Sequence, residues 1–259
     1  MTENPKGRMR FSGKAVLVTG GGSGIGRAVA SAFAREGAHV VVGGRRSEPL
    51  AQTVKLIEHD GGRASLVTAD VSSPADVARL VDEVVSRCGG LDVAVNNAGI
   101  LTASGPLADV DESEWTQLLA VNVTGVWLAM KYEIQQMRRN GGGAIVNVAS
   151  IFGAHKVVPG FGAYAATKAA VSTLTRAAAL ECIADGIRIN AVSPGPFDTA
   201  MSLRPGETEA DRDARLREQV PVGRVGSLDE IASAILWLAS PESGYAVGTD
   251  LVYDGGGSL

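Results

Sequence analysis

Short runs of β-branched residues alternate along the chain with longer stretches whose apolar positions recur every three to four residues. The runs are AVLVTG (15–20), HVVVGG (39–44), RASLVTA (63–69), LDVAVNN (91–97), AIVNVAS (144–150), IRINAV (187–192) and TDLVYD (249–254). Runs this apolar suit strands covered on both faces, and the helical stretches between them suit right-handed βαβ crossovers. The pattern predicts an α/β domain with a seven-stranded, mostly parallel sheet and helices on both faces. In such a sheet the loops after the strand C-termini line one edge, where ligands bind. Those loops are GGGSGIG, GGRRSE, ADVSS, NNAGI, ASIFG and SPGPFDT. Between Gly195 and Ser227 the periodicity fades into a charged stretch broken by Pro205 and Gly206, so residues 196–226 are expected to form a mobile lid. Residues 1–12 form an N-terminal segment before the first strand, leaving 13–259 as one domain.

Composition agrees with this picture and narrows the partners. At 259 residues, 45% hydrophobic and 20% charged, the chain can bury a large core, which argues against disordered or fibrous architectures. A net charge of −4 supplies no overall basic field, so neither nucleic acid nor an acidic membrane surface is an expected partner. Cys88 and Cys182 are isolated, and His39, His59 and His155 share no ligand spacing, so no metal site is expected. The N-terminus lacks the apolar core of a signal peptide, and no run approaches the roughly 18 apolar residues of a spanning helix. A reducing cytoplasm is the expected location.

Candidate chemistry lies in the loops. Thr19-Gly20-Gly21-Gly22-Ser23-Gly24-Ile25-Gly26 joins the first strand to an amphipathic stretch carrying Val29, Ala32 and Phe33. Glycines let a backbone approach a diphosphate, and the start of the helix favours an anion, although a merely flexible turn would look the same. Neither the strict G-x-G-x-x-G nor the P-loop pattern fits, since no lysine follows the last glycine. In AYAATKAA (163–170), Tyr164 and Lys168 stand four apart and share one helix face. An ammonium beside a phenol of ordinary pKa about 10 favours the phenolate and moves it toward general acid–base work. Alone, such a pair is more often a surface hydrogen bond. Ser150 closes the fifth strand, where its hydroxyl can stabilise an oxyanion or simply shape a turn. Asn122 is out of place inside a long helix, because asparagine competes for backbone hydrogen bonds.

Taken together, T-G-x(3)-G-x-G (19–26), NNAG (96–99), Ser150 with Y-x(3)-K (164–168), SPG (193–195) and DGG (254–256) follow one order and rough spacing. In this the chain resembles the short-chain dehydrogenase/reductase family over nearly its whole length, in the single-domain subgroup. The resemblance implies a doubly wound Rossmann fold forming a single catalytic domain. It implies NAD(P)-dependent hydride transfer between nicotinamide and a ketone or secondary alcohol, with Asn122, Ser150, Tyr164 and Lys168 as the catalytic set. In the family the asparagine at the position of Asn122 holds a water linking the site to solvent. Cofactor contacts are implied at Gly20, Ser23, Gly24, Ile25 and Gly26, at Asp70 and Val71 by the adenine, and at Asn97, Ala98 and Gly99. Tyr164 and Lys168 are implied contacts as well, with Pro194, Gly195, Phe197 and Thr199 beside the carboxamide.

The acidic residue that commonly receives the adenosine ribose is replaced here by Gly44, followed by Arg45 and Arg46. Guanidinium groups there suit a 2′-phosphate, so NADP(H) is the preferred cofactor. Ser23, where many NADP-using relatives are basic, keeps NAD(H) open. The substrate is expected to be a small carbonyl compound or alcohol of moderate size, even alicyclic, against a largely apolar wall that includes Ile100, Phe152, Val157, Phe161, Phe197 and Met201. His155 and Lys156 are the polar candidates near it. The Ser150 to Tyr164 interval is one residue longer than in many relatives, so a bulge is expected in that loop. A 3-oxoacyl-[acyl-carrier-protein] reductase is the alternative, docking its partner through Arg138 and Arg139 but opposed by acidic Asp185. A nucleotide-sugar epimerase and a non-catalytic dinucleotide sensor stand behind it. The alanine-rich helix from Gly162 suits close pairing with a second copy, giving a homodimer or homotetramer.

Overall fold

Seven strands form where the β-branched runs lie: β1 (Ala15–Thr19), β2 (His39–Gly44), β3 (Arg63–Thr68), β4 (Val93–Asn96), β5 (Gly143–Val148), β6 (Ile187–Pro194) and β7 (Asp250–Tyr253). They come from a computed structural model that describes residues 9–259; of the segment 1–12, residues 1–8 lie outside the described part. The strands join in one sheet of order β3-β2-β1-β4-β5-β6-β7, and every pairing is parallel. The helices are α1 (Gly24–Arg35), α2 (Ser47–His59), α3 (Pro74–Cys88), α4 (Glu112–Leu119), α5 (Gly125–Asn140), α6 (Gly162–Cys182), α7 (Glu209–Gln219) and α8 (Leu228–Ala239). This is the doubly wound single-domain fold that the alternation implied.

Successive strand residues point to opposite faces, and both faces are covered. Val16, Val18, Val40 and Val42 pack on one side with Phe33 of α1 and Ile231 and Ile235 of α8. Leu17, Val41, Ala94 and Ile145 pack on the other with Leu80 of α3, Met130 of α5 and Val171 of α6. From β1 the chain builds outward through β2 and β3, then returns to lay β4 on the opposite side of β1. That reversal opens a crevice beyond the C-terminal ends of β1 and β4, and the glycine turn and the NNAG loop both end there.

Two regions carry more structure than the pattern indicated. The long helix expected around Asn122 is two helices, α4 and α5, joined by a π-helical turn at Ala120–Thr124. Residues 196–226 hold α7, started by a capping box between Thr208 and Asp211. The buried positions of α7 are Leu216 and a charged residue, Arg212, which donates to Asp198 (2.8 Å) and to Asp213. An arginine on the inward face is why the helix leaves no apolar stripe in the sequence.

Candidate active site

The glycine turn is shaped by packing that tolerates no side chain. Gly20 and Gly24 have φ of +66° and +49°. A Cβ on Gly20 would lie 2.8 Å from Asn97 Nδ2, and one on Gly26 only 2.3 Å from the Gly20 carbonyl oxygen. Asn97 Nδ2 donates to the carbonyls of Thr19 (3.0 Å) and Gly20 (3.2 Å), while Thr19 Oγ1 accepts from the amides of Asn97 and Ala98. From α2, Thr53 Oγ1 donates to the Gly21 carbonyl (2.9 Å); Arg27 donates to Thr53 and to the Gly22 carbonyl. The carbonyls of the turn are thus held from both sides. Ser23, the N-cap of α1, makes no side-chain cap bond, and the first turn has no acidic residue. Backbone N–H groups at a positive helix end, with carbonyls tied back, fit the diphosphate of a dinucleotide.

Around this turn the other expected cofactor positions gather at the same sheet edge. Arg45 and Arg46 follow β2, both exposed and without an ion-pair partner among the described residues. Asp70 is half-buried, its Oδ1 accepting from the amide and hydroxyl of Ser72, while Val71 packs against Leu128 and Ala129. The start of α3 belongs to Ser73, which accepts from the Asp76 amide (3.3 Å) ahead of Pro74. Pro194 ends β6, and a Cβ on Gly195 would meet Asp254 at 2.6 Å. Thr199 lies beside Gly24, 3.2 Å from where a Cβ there would sit.

Tyr164 and Lys168 are almost fully buried on α6, at 7% and 4% exposure, so the pair is no surface hydrogen bond. Lys168 Nζ donates to the Val148 carbonyl (2.8 Å) and stands 5.8 Å from the centre of the Tyr164 ring. Ser150, also buried, accepts from the Phe152 amide (3.1 Å), and its hydroxyl is near enough to the Tyr164 phenol to pull the phenol's pKa down. Asn122 exchanges two bonds with the backbone of Ile100, accepting from its N–H and donating to its C=O, each 2.9 Å. The π turn aims this side chain at the loop after β4, and such turns recur at functional sites. Gly99 lies between the two groups: a Cβ there would be 3.4 Å from Asn122 Oδ1 and 3.5 Å from Lys168 Nζ.

The electrostatics correct one expectation. Burial pushes the Tyr164 phenol up to about 12, with the Ser150 hydrogen bond offsetting only part of it, and burial brings the Lys168 ammonium down to about 8. Desolvation disfavours both charged forms and is the largest cause of each shift.

The substrate side brings further corrections. The loop between Ser150 and Tyr164 opens with a turn, where the Gly153 amide donates to the Lys156 carbonyl and the Lys156 amide to that of Ile151. His155 and Lys156 do not face the site: His155 bonds Asp250, and Lys156 donates to the Gly257 carbonyl. The ring of Phe197 is buried, stacked on Tyr253 at 6.2 Å and packed on Gly226, so it does not form part of the substrate wall. Phe152 and Phe161 do pack together, at 5.2 Å, between Ser150 and α6.

Sequence reasoning missed Thr53 and Glu133. Each is a polar residue, fully buried, on an otherwise apolar helical stripe: Thr53 between Leu50 and Ile57, Glu133 between Met130 and Met137. That interruption of the period is the mark by which they could have been found.

A diphosphate cradle at the switch point of a parallel sheet, beside a buried tyrosine and lysine, defines a dinucleotide-dependent oxidoreductase. Comparison with known proteins names the family. A family model described as enoyl-(acyl carrier protein) reductase matches residues 20–258. A 3beta-hydroxysteroid dehydrogenase 1 of Eggerthella lenta is 41% identical, covering 96% of this chain and 95% of its own length. A cis-4-hydroxycyclohexanecarboxylate dehydrogenase of Sinomonas cyclohexanicum is 39% identical, covering 95% and 97%. The crystal structure of a short-chain type dehydrogenase/reductase from Mycobacterium marinum superposes with a TM-score of 0.91 at 37% identity, covering 97% and 98%. The chain belongs to the short-chain dehydrogenase/reductase family, enzymes that act on alcohol and keto groups with NAD(H) or NADP(H).

Proposed function

We propose that the protein interconverts a ketone and a secondary alcohol of moderate size, preferably on a ring, with NADP(H) as preferred cofactor and NAD(H) as the second. The observation that carries this reading is the buried Tyr164, beside Ser150, backed by Lys168 and packed against Ile100 and Leu101 of the loop after β4. When bound, the nicotinamide would supply the hydride for ketone reduction and accept it in alcohol oxidation; the chain supplies the proton exchange and the geometry. Tyr164 gives its proton to, or takes it from, the substrate oxygen, and Ser150 donates a hydrogen bond to that oxygen. Lys168 holds the nicotinamide ribose, and Asn122 holds the loop of residues 97–100 against the site. Apolar walls suit an alicyclic skeleton, and the two relatives above are named for hydroxyl groups on rings. Residues 196–226 close over the substrate as a lid. Carrier-protein docking is the lesser reading, since Arg138 is already paired with Asp185 at 2.6 Å. A cytoplasmic location fits the two free cysteines.

A screen of NADPH and NADH oxidation against cyclic ketones and free or carrier-linked oxoacyl thioesters tests cofactor and substrate together. Cyclic ketones with NADPH are the expected pair; a carrier-linked substrate outperforming them by orders of magnitude would reverse the ranking. Charge-assisted bonds to a 2′-phosphate should make the R45A/R46A variant bind NADPH about 10–100-fold more weakly with NADH unchanged. Equal or better affinity for NADH in the native enzyme sinks the NADP(H) preference.

We further propose that the enzyme assembles as a homotetramer or homodimer through α5 and α6. Their outer faces expose Trp127 (48%) and Leu180 (78%), large apolar surface that a second copy would cover. Light scattering at micromolar concentration should return a dimer or tetramer mass, and a monomer mass refutes the assembly.

A further inference from the structure

One carboxylate outside the site gathers the elements that build it. Asp250 opens β7, and its side chain is 9% exposed. Its Oδ2 accepts from Ser172 Oγ (2.6 Å) and His155 Nε2 (3.0 Å), and its Oδ1 from Ser193 Oγ (2.6 Å). Ser172 lies one turn beyond Lys168 on α6, Ser193 precedes Pro194 on β6, and both are fully buried. His155 belongs to the loop 151–161, which directly follows Ser150 and leads into the first turn of α6, where Tyr164 stands. Its ring donates from Nε2 as the Nε2–H tautomer or as the imidazolium, so the link requires no particular charge. Lys156 adds a second tether by donating to the Gly257 carbonyl.

We propose that Asp250 is a positioning residue for the substrate: through His155 it fixes the loop 151–161 against α6 and β6. The loop has no helix or strand of its own, and Val157 in it is 75% exposed, so its order rests on a few bonds. The apolar wall formed by Phe152 and Phe161 then meets the ketone in one arrangement, next to Ser150 before the loop and Tyr164 in the first turn of α6. Asp250 and His155 touch neither substrate nor cofactor in this scheme. It rests on the ketone-reductase reading only in that the loop faces the substrate.

Hydrogen–deuterium exchange of the full chain tests the anchor without a substrate. In H155A the bonds from Ser172 and Ser193 to Asp250 survive, so the fold is kept. Loss of one bond to a carboxylate should speed exchange across 151–161 by about tenfold, including the amides of Gly153 and Lys156, while α6 and β6 keep native rates. H155Q, whose amide can donate to the same carboxylate, should restore slow exchange. In D250A, which removes both acceptor oxygens, the loop should exchange at least as fast as in H155A, and H155A/D250A no faster than D250A alone. With a ketone the enzyme reduces, H155A should raise KM about tenfold with kcat within about twofold of native. Unchanged loop exchange in H155A, additive effects of the two substitutions, or fast exchange with unchanged KM overturns the proposal. Should the native enzyme reduce no ketone, the functional reading fails, while the exchange results still decide whether Asp250 anchors the loop.

Discussion

Replacing Tyr164 by phenylalanine is expected to lower turnover about 10²–10⁴-fold, the usual worth of a general acid–base group, with cofactor affinity close to native. The hydroxyl is the only group lost. Packing of the ring beside Ala163 and Leu118 remains, and so does the bond from Lys168 Nζ to the Val148 carbonyl. The glycine turn is built by Thr19, Asn97 and Thr53, none of which contacts the phenol, so the diphosphate cradle is untouched. With its pKa pushed up to about 12, the phenol stays protonated throughout the neutral range and is set to donate to a carbonyl oxygen. Ketone reduction should therefore run flat through neutral pH, whereas alcohol oxidation, which requires the phenolate, should rise toward alkaline pH. Single-turnover rates beside a fluorescence titration of NADPH separate the two effects. A Y164F enzyme turning over within tenfold of native defeats the assignment of Tyr164 as the proton carrier.

Most of the fold could be read from residues alone because it depends on period and spacing, and the candidate site was marked by motifs whose order resembles that of a known family. Seven β-branched runs became seven strands, and the order of loops after them set Thr19–Gly26 beside Asn97 and brought Ser150, Tyr164 and Lys168 to one edge. What stayed hidden depends on direction and on solvent. The sequence places Phe197 after β6 but does not say on which side of the turn its ring falls, and the ring goes into the core against Gly226. His155 and Lys156 sit at a suitable point of the loop, yet both turn to partners about a hundred residues away, Asp250 and Gly257. Neighbouring charges in a sequence suggest that a lysine will acidify a tyrosine; burial of both reverses the sign. Polar residues on apolar stripes are the legible trace of such buried networks, and Glu133 is the plainest.

Substituting Glu133 by glutamine is expected to flatten the dependence of stability on pH and to make the protein more stable above neutrality. Glu133 is fully buried in α5 and accepts a hydrogen bond at Oε2 from Asn96 Nδ2 (2.9 Å). The same Nδ2 donates to Asn147 Oδ1 (3.0 Å), so rotating the Asn96 amide would forfeit two bonds. That leaves Glu133 Oε1 and Asn96 Oδ1 as buried oxygens without partners, two acceptors on one pair of side chains. A proton on Oε1 turns a bare acceptor into a donor and removes a buried charge, and burial raises the carboxyl to about 7, outweighing the Asn96 hydrogen bond. In the unfolded chain the same group titrates near its ordinary 4.5. The folded state therefore binds more protons between those values: the contribution of Glu133 is complete below about 4.5 and is lost as pH rises through about 7. Between pH 5 and pH 8 this amounts to about 2–3 kcal/mol, or roughly 5–10 °C in Tm for a domain of this size. Glutamine keeps the acceptor, supplies the donor at every pH and carries no charge. Thermal unfolding of native and E133Q proteins from pH 5 to pH 8 should give curves that converge on the acid side and separate on the alkaline side, with E133Q the higher. Parallel curves would mean that Glu133 keeps one protonation state throughout, and that the two oxygens are satisfied in another way.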